Sequence, residues 1–232
     1  MNTKRIVAFA LAGSIGGGLR AQAPSGRITG ALSDPAGKAL PNAIVTYTRE
    51  YPKQGDPSPA RGVAATGSAG EFSFTGLMAG RYLLCGVASP ELELVPNCDW
   101  TYAPPAVTLT NGQAASGVKI VLEKGSRVEV RLDDAGGLLP HPVDGGGSGK
   151  VHVGLRGSDG MMHTPQIHSL DRGGHTYSAI VPHGRPVAVH VIGQGLRVSD
   201  DKGAEVSNRG PGAAFQTAPG DGPRQIRLRV DK

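Results

Sequence analysis

The sequence predicts an all-β protein with two tandem β-sandwich domains, and three observations lead to this prediction. The chain has 232 residues, of which 36 are Gly and 18 are Pro, and both residue types break helix interiors. Apolar and polar residues alternate along several short segments. A pattern in the first half of the chain returns about 100 residues later. Together these features predict short strands joined by many turns.

Alternation with a period of two places the apolar side chains of a segment on one face. Segments with this pattern are 27–32, 71–75, 107–110, 128–132 and 226–230. Residues 44–49 are dominated by β-branched and aromatic side chains, which are favoured in strands. Strands with one apolar face pack against a second sheet and leave the other face to solvent, as in a sandwich.

The internal repeat consists of three matches that occur in the same order. Residues 70–81 match 174–185 without a gap, and both segments keep a Gly…Gly-Arg frame. Upstream, 32–41 resembles 132–140 with one residue deleted, and downstream 118–122 resembles 224–228. The second domain is therefore predicted to be a diverged copy of the first. Chance similarity between two glycine-rich segments is the alternative.

Two runs in the first half also carry a family resemblance. The run GRITGALSDPAGKALPNAIV at 26–45 and the block from Thr66 to Tyr82 together resemble the carboxypeptidase regulatory-like domain, over about residues 26–124. The resemblance implies a transthyretin-like (prealbumin-like), Ig-like sandwich of seven strands, grouped with carbohydrate-binding-like folds. Such domains are non-catalytic attachments on exported and envelope proteins. Ser68 stands where the family usually has Asp, so the carboxylate that caps this turn is missing.

The chain divides on this basis into a leader and two domains. Residues 1–23 are predicted to be a signal peptide, 24–125 the regulatory-like sandwich and 126–232 the second sandwich. The layout, with Gly80–Cys85 followed by Cys98-Asp99-Trp100, also resembles a set of exported bacterial proteins. That second resemblance implies no known activity.

The N-terminus has the three parts of a secretory signal. Lys4 and Arg5 form the basic part, 6–15 is an apolar run too short to span a bilayer, and Ala21-Gln22-Ala23 is a cleavage pattern. Cleavage after Ala21 or after Ala23 both remain open, and an uncleaved N-terminal helix is the alternative. The mature protein is thus expected to be secreted or periplasmic, with no transmembrane segment.

Charge and cysteine content indicate which partners and which redox compartment to expect. The net charge of +5 loses three basic residues with the signal, and no run of Lys or Arg indicates a nucleic-acid surface. Cys85 and Cys98 are the two cysteines. An even count in an exported protein predicts one disulfide.

Six histidines lie within residues 152–190, which raises the possibility of a metal site. They are His152, His163, His168, His175, His183 and His190. Their spacings match no standard ligand pair, so packed or solvated histidines are predicted. A metal-dependent enzyme or metal-binding protein that uses these histidines is the alternative.

The sequence also lacks the patterns of common hydrolases. It has no G-x-S-x-G motif, and Asp133-Asp134 and Asp200-Asp201 fall in turn-like segments. We therefore predict no catalytic residues, no metal and no cofactor.

Trp100 and Tyr102, beside the second cysteine, are the candidate ligand-binding residues. Aromatic side chains held by a disulfide can stack on a sugar face or anchor a protein partner. The alternative is that Trp100 caps the open end of the sandwich. The sequence thus predicts an exported, non-catalytic binding or scaffold protein of the cell envelope, with a glycan or an envelope protein as its partner.

Overall fold

A computed structural model describes residues 25–232 of the chain, except 53, 57–58, 102–103, 141–149, 208–209 and 211. The predicted signal peptide lies outside the described residues. In the described part, the regular structure is β-strand apart from one short 3-10 helix, Pro90–Leu92. No helix in that part is long and apolar enough to cross a membrane.

The first sandwich has seven strands in two sheets. The strands are β1 (Gly26–Ser33), β2 (Ile44–Arg49), β3 (Arg61–Ala65), β4 (Glu71–Leu77), β5 (Gly80–Val87), β7 (Ala106–Leu109) and β8 (Ala114–Val121). One sheet has the order β4-β1-β8 and the other β3-β2-β5-β7. The predicted alternation is observed, since Phe72 and Phe74 on β4 point into the core. Tyr47 packs edge-on against Phe74 and Tyr82 there, with ring centroids 4.9 and 5.4 Å apart.

The second sandwich follows after a single residue, Leu122. Its strands are β9 (Glu123–Asp133), β10 (Lys150–Gly157), β11 (Met162–His163), β12 (Gln166–Asp171), β13 (Gly174–Pro182), β14 (Val187–Gln194), β15 (Arg197–Ser199), β16 (Ala213–Phe215) and β17 (Arg224–Asp231). The sheets have the orders β12-β13-β9-β17-β15 and β11-β10-β14-β16. A short strand from the first half of the chain, β6 (Leu94–Val95), pairs with β9. The separate apolar core of this sandwich includes Val128, Leu155 and Leu228.

The two sandwiches share one strand order. β1 pairs antiparallel with β4 and parallel with β8, and β9 pairs in the same way with β13 and β17. The order β3-β2-β5-β7 corresponds to β11-β10-β14-β16. The segments matched in sequence lie on equivalent strands, so the predicted all-β tandem sandwich is confirmed. The second sandwich adds β12 and β15 at its edges.

The turn after the first strand is also repeated. The Asp34 carboxylate accepts hydrogen bonds from the backbone N–H groups of Ala36 and Lys38, both at 2.9 Å. Asp134 accepts from Leu138 and Leu139 at 2.9 and 2.7 Å. Asp134 therefore caps the turn in which the sequence places it.

A third such turn follows β15. The Asp200 carboxylate accepts from the backbone N–H groups of Lys202 and Ala204 at 3.0 and 2.8 Å. The turn before β4, which contains Ser68, is capped as well. There the carboxylate comes from Glu71, which accepts from the Ala69 N–H at 2.8 Å.

Candidate functional site: a clamp and a groove between the sandwiches

The predicted disulfide is present and fixes a segment to the first sandwich. Cys85 on β5 is bonded to Cys98, with the two Cα atoms 5.4 Å apart. The neighbouring Asn97 accepts a hydrogen bond from the Gly86 N–H at 2.5 Å and donates to the Leu84 carbonyl at 3.1 Å. Three contacts thus hold residues 97–98 against β5.

The same segment reaches into the second sandwich. The short strand β6 pairs antiparallel with the start of β9. Val95 and Trp100 belong to the second apolar core, and only 7% of Trp100 is exposed. We call residues 94–100 the interdomain clamp, because they join the first sandwich to the core of the second.

Two hydrogen bonds fix Trp100 in that core. Its indole Nε1 donates to the Ile180 carbonyl on β13 at 3.2 Å. Arg185 donates to the Trp100 carbonyl at 3.1 Å and pairs with Glu123 at 3.0 Å. A buried indole whose N–H is bonded is a well-anchored packing group.

The indole also stacks on His163 of β11, with centroids 3.9 Å apart and planes inclined by 30°. The His163 Nε2 atom is buried without a hydrogen-bond partner in the described part of the chain. Burial lowers the pKa of this imidazole, and the charges of Asp99 and Asp159 oppose that shift. One face of Trp100 is therefore covered by protein. Tyr102 lies outside the described residues, and ligand binding by Trp100 and Tyr102 stays a prediction.

A groove of about 230 Å³ lies beside the clamp. Its first wall comes from residues 87–91 and 94–100, and its second wall comes from β9, β12, β13 and the residues before β12. The apolar part of the lining includes Val87, Leu94, Trp100, Pro165 and Ile167. We call this feature the interdomain groove.

Besides His163, six polar side chains of the groove form no side-chain hydrogen bond or ion pair within the described part of the chain. They are Asp99, Arg127, Thr164, Gln166, His168 and Ser178. Arg127 is partly buried. The groove walls withdraw the exposed Asp99 carboxyl from part of the solvent, which raises its pKa, and the charge of His163 opposes this shift.

Two other arginines of the sheet that contains Arg127 are paired with aspartates. Arg131 binds Asp171 through two hydrogen bonds of 2.6 and 2.7 Å. Arg227 binds Asp133 at 3.0 and 3.1 Å. Arg127 has no such partner within the described residues, and neither have the exposed Arg197 and Arg229 on β15 and β17.

The histidines considered for a metal site are scattered. His175 contacts the Pro140 carbonyl at 2.9 Å, His183 the Ser126 hydroxyl at 3.0 Å, and His190 the Ser207 carbonyl at 3.1 Å. The exposed histidines, on β10 and β12, are His152 and His168. In residues 25–232, leaving aside the positions not described, no three His, Cys, Asp or Glu side chains are arranged to hold a metal ion.

Sequence reasoning does not identify the groove residues as a set. They come from segments separated by up to about 80 residues, and no short motif links them. His163 and His168 stand out in the sequence only for their spacing. Asp99 lies inside the Cys98-Asp99-Trp100 run, which is the one local signal that indicates this region.

Comparison with known proteins gives structural likeness only. No family model and no curated protein matches the chain. Among solved structures, the TIE protein of Bacillus anthracis is 14% identical with a TM-score of 0.31, over 90% of this chain and 34% of that one. A streptococcal ancillary pilin is 11% identical with a TM-score of 0.39, over 90% and 63%. A minor pilin of Streptococcus agalactiae is 13% identical with a TM-score of 0.34, over 90% and 97%.

This chain therefore spans about a third of the first of these structures and less than two thirds of the second. Likeness at this level assigns no function to the chain. What the residues themselves define is an all-β protein of two joined sandwiches with a polar groove between them.

Proposed function

We propose that this protein is an exported, non-catalytic binding and scaffold protein of the cell envelope, in which the clamp holds both sandwiches as one rigid unit. Its partner is a glycan. The histidines available for chemistry mostly contact backbone carbonyls, a hydroxyl group or the indole, which favours packing roles over catalysis.

The insertion of Trp100 is the observation that carries the proposal. Its segment is bonded covalently to the first sandwich through Cys98, while its indole is buried in the second. Domains that are joined only by a linker move relative to one another by default. A side chain buried across the junction restricts this motion and gives the unit a fixed shape.

Replacing Trp100 tests the rigid coupling. We expect Trp100→Ala to destabilise the second sandwich by about 3–5 kcal/mol, to split thermal unfolding into two transitions and to raise the radius of gyration measured by X-ray scattering. Phe215→Ala is the matched control, because it removes another buried aromatic ring from the same core without touching the clamp.

The control should lower stability without changing the radius of gyration of the folded protein. A Trp100→Ala protein that stays as compact as the Phe215→Ala protein, with a single transition, would show that the clamp does not couple the sandwiches.

A further inference from the structure

We propose that the interdomain groove binds a single sugar ring, held by Asp99, Arg127, Gln166, His168 and Ser178. This inference rests on the proposed binding function and names the site and the chemistry of its ligand. The site differs from the predicted aromatic pair, because Trp100 contributes to the wall while the five polar side chains supply the recognition.

The first argument is that these groups converge without satisfying one another. Arg127 is partly buried and yet has no partner in the described residues, whereas Arg131 and Arg227 on the same sheet face each bind a carboxylate. A partly buried charge without a partner is costly. Pockets that bind small ligands combine apolar walls with a few such convergent polar groups.

The second argument concerns the hydrogen bonds that the groove side chains can donate and accept. An ionised Asp99 only accepts hydrogen bonds and Arg127 only donates them. A carboxylate ligand would satisfy Arg127 and repel Asp99, and an amine would do the reverse. A hydroxyl group both donates and accepts, so a ring bearing several hydroxyls satisfies both residues at once. Gln166, His168 and Ser178 can each donate a hydrogen bond to a hydroxyl group or accept one from it.

The third argument is the apolar wall. Val87 and Ile167 are 38% and 61% exposed and line the groove from opposite sandwiches. Sugar rings have apolar C–H faces as well as hydroxyls, and such a face can cover these side chains. A volume of about 230 Å³ lies below the roughly 300–1,000 Å³ of pockets for drug-sized ligands. The groove therefore suits one ring at a time.

An added peptide strand is the main competing occupant. The outer edge of β12 is unpaired in the described sheet, and extended peptides bind such edges. The register of β12 shifts between Ile167 and Ser169, however. A bulge at this point interrupts the regular ladder that a peptide would have to extend.

The experiment is a glycan array with the full mature chain, followed by calorimetry with the best-binding glycan. We expect Asp99→Asn and Gln166→Ala to weaken binding by about tenfold or more. His152→Ala and Gln225→Ala are the matched controls, because both residues are exposed on the same sandwich outside the groove, and they should bind as the unchanged protein does. Thermal unfolding checks that all variants are folded.

Three results would overturn the inference. They are the absence of binding to any arrayed glycan, glycan binding that both groove variants retain, and groove-dependent binding of peptides but not glycans. Each of these results can be distinguished from a failure of the scaffold proposal, because rigid coupling is measured by unfolding and scattering without any ligand.

Discussion

At the scale of single residues, two glycines that match in segments 70–81 and 174–185 make the same kind of close backbone contact. Gly70 directly precedes β4 and Gly174 is the first residue of β13, and the two glycines match in the aligned segments, with φ of 72° and 139°. A Cβ atom at Gly70 would lie 2.4 Å from the Leu32 carbonyl oxygen, and one at Gly174 would lie 1.8 Å from that of Leu132. Both sites therefore require glycine for conformation and for space.

Substitution at this position should be costly. We expect Gly174→Ala to lower the free energy of unfolding by about 2–4 kcal/mol, through strain at positive φ and through the clash with Leu132. Gly222→Ala is the control, because a Cβ atom at that position would have no atom of the described residues within 4 Å, and it should be close to neutral. Urea unfolding measures both. Equal stabilities for the two variants would contradict this account of the matched glycines.

Local patterns are the part of the structure that can be predicted. Alternation in 71–75, the turn at Asp134 and the matched glycines depend on residues close in sequence. Trp100 cannot be placed in the same way. Its bonded partner Ile180 is 80 residues away, so the sequence suggests an aromatic site on the first domain, whereas the indole is buried in the core of the second sandwich.

At the scale of strands, the outer face of the second sandwich carries a row of ion pairs. Asp171 on β12 binds Arg131 on β9, Arg131 also contacts Asp133 at 3.4 Å, and Asp133 binds Arg227 on β17. The hydrogen bonds from Arg131 lower the pKa of Asp171 from 3.8 to about 2. Hydrogen bonds from Arg227 likewise lower the pKa of Asp133. Both aspartates therefore bind protons less readily in the folded protein.

Lowering the pH should weaken this row of ion pairs over a defined pH range. A carboxyl whose pKa is lowered by folding stabilises the protein above its unfolded pKa, and the effect is lost as pH falls through the folded pKa. We expect Asp171→Asn to reduce the fall in unfolding free energy between about pH 4 and pH 2. Asp201→Asn, at an exposed aspartate outside the row, should leave the slope unchanged. Urea unfolding across this range measures the free energy of unfolding. If this free energy falls as steeply with pH in both variants as in the parent protein, the prediction is wrong.

At the scale of the whole molecule, the second sandwich is completed by residues that precede it in the chain. β6 pairs with β9, and Val95 and Trp100 fill part of the second core. The boundary predicted at 125/126 follows the repeat, yet the packing unit of the second sandwich begins near residue 94. The clamp is thus shared, because Cys98 ties it to the first sandwich at the same time.

Two truncated chains test whether the second sandwich begins at the boundary predicted from the sequence, 125/126, or at the boundary that the packing indicates, near residue 94. Residues 122–232 contain every strand from β9 to β17 but lack the clamp, whereas 93–232 with Cys98→Ser retains Val95 and Trp100. We expect the shorter chain to be less stable by about 3–5 kcal/mol for the missing indole alone, because its absence leaves a cavity beside His163. Thermal unfolding and the dispersion of amide NMR signals measure the difference. Equal stability of the two chains would mean that the second sandwich folds independently of the clamp, and the rigid coupling would then need another cause.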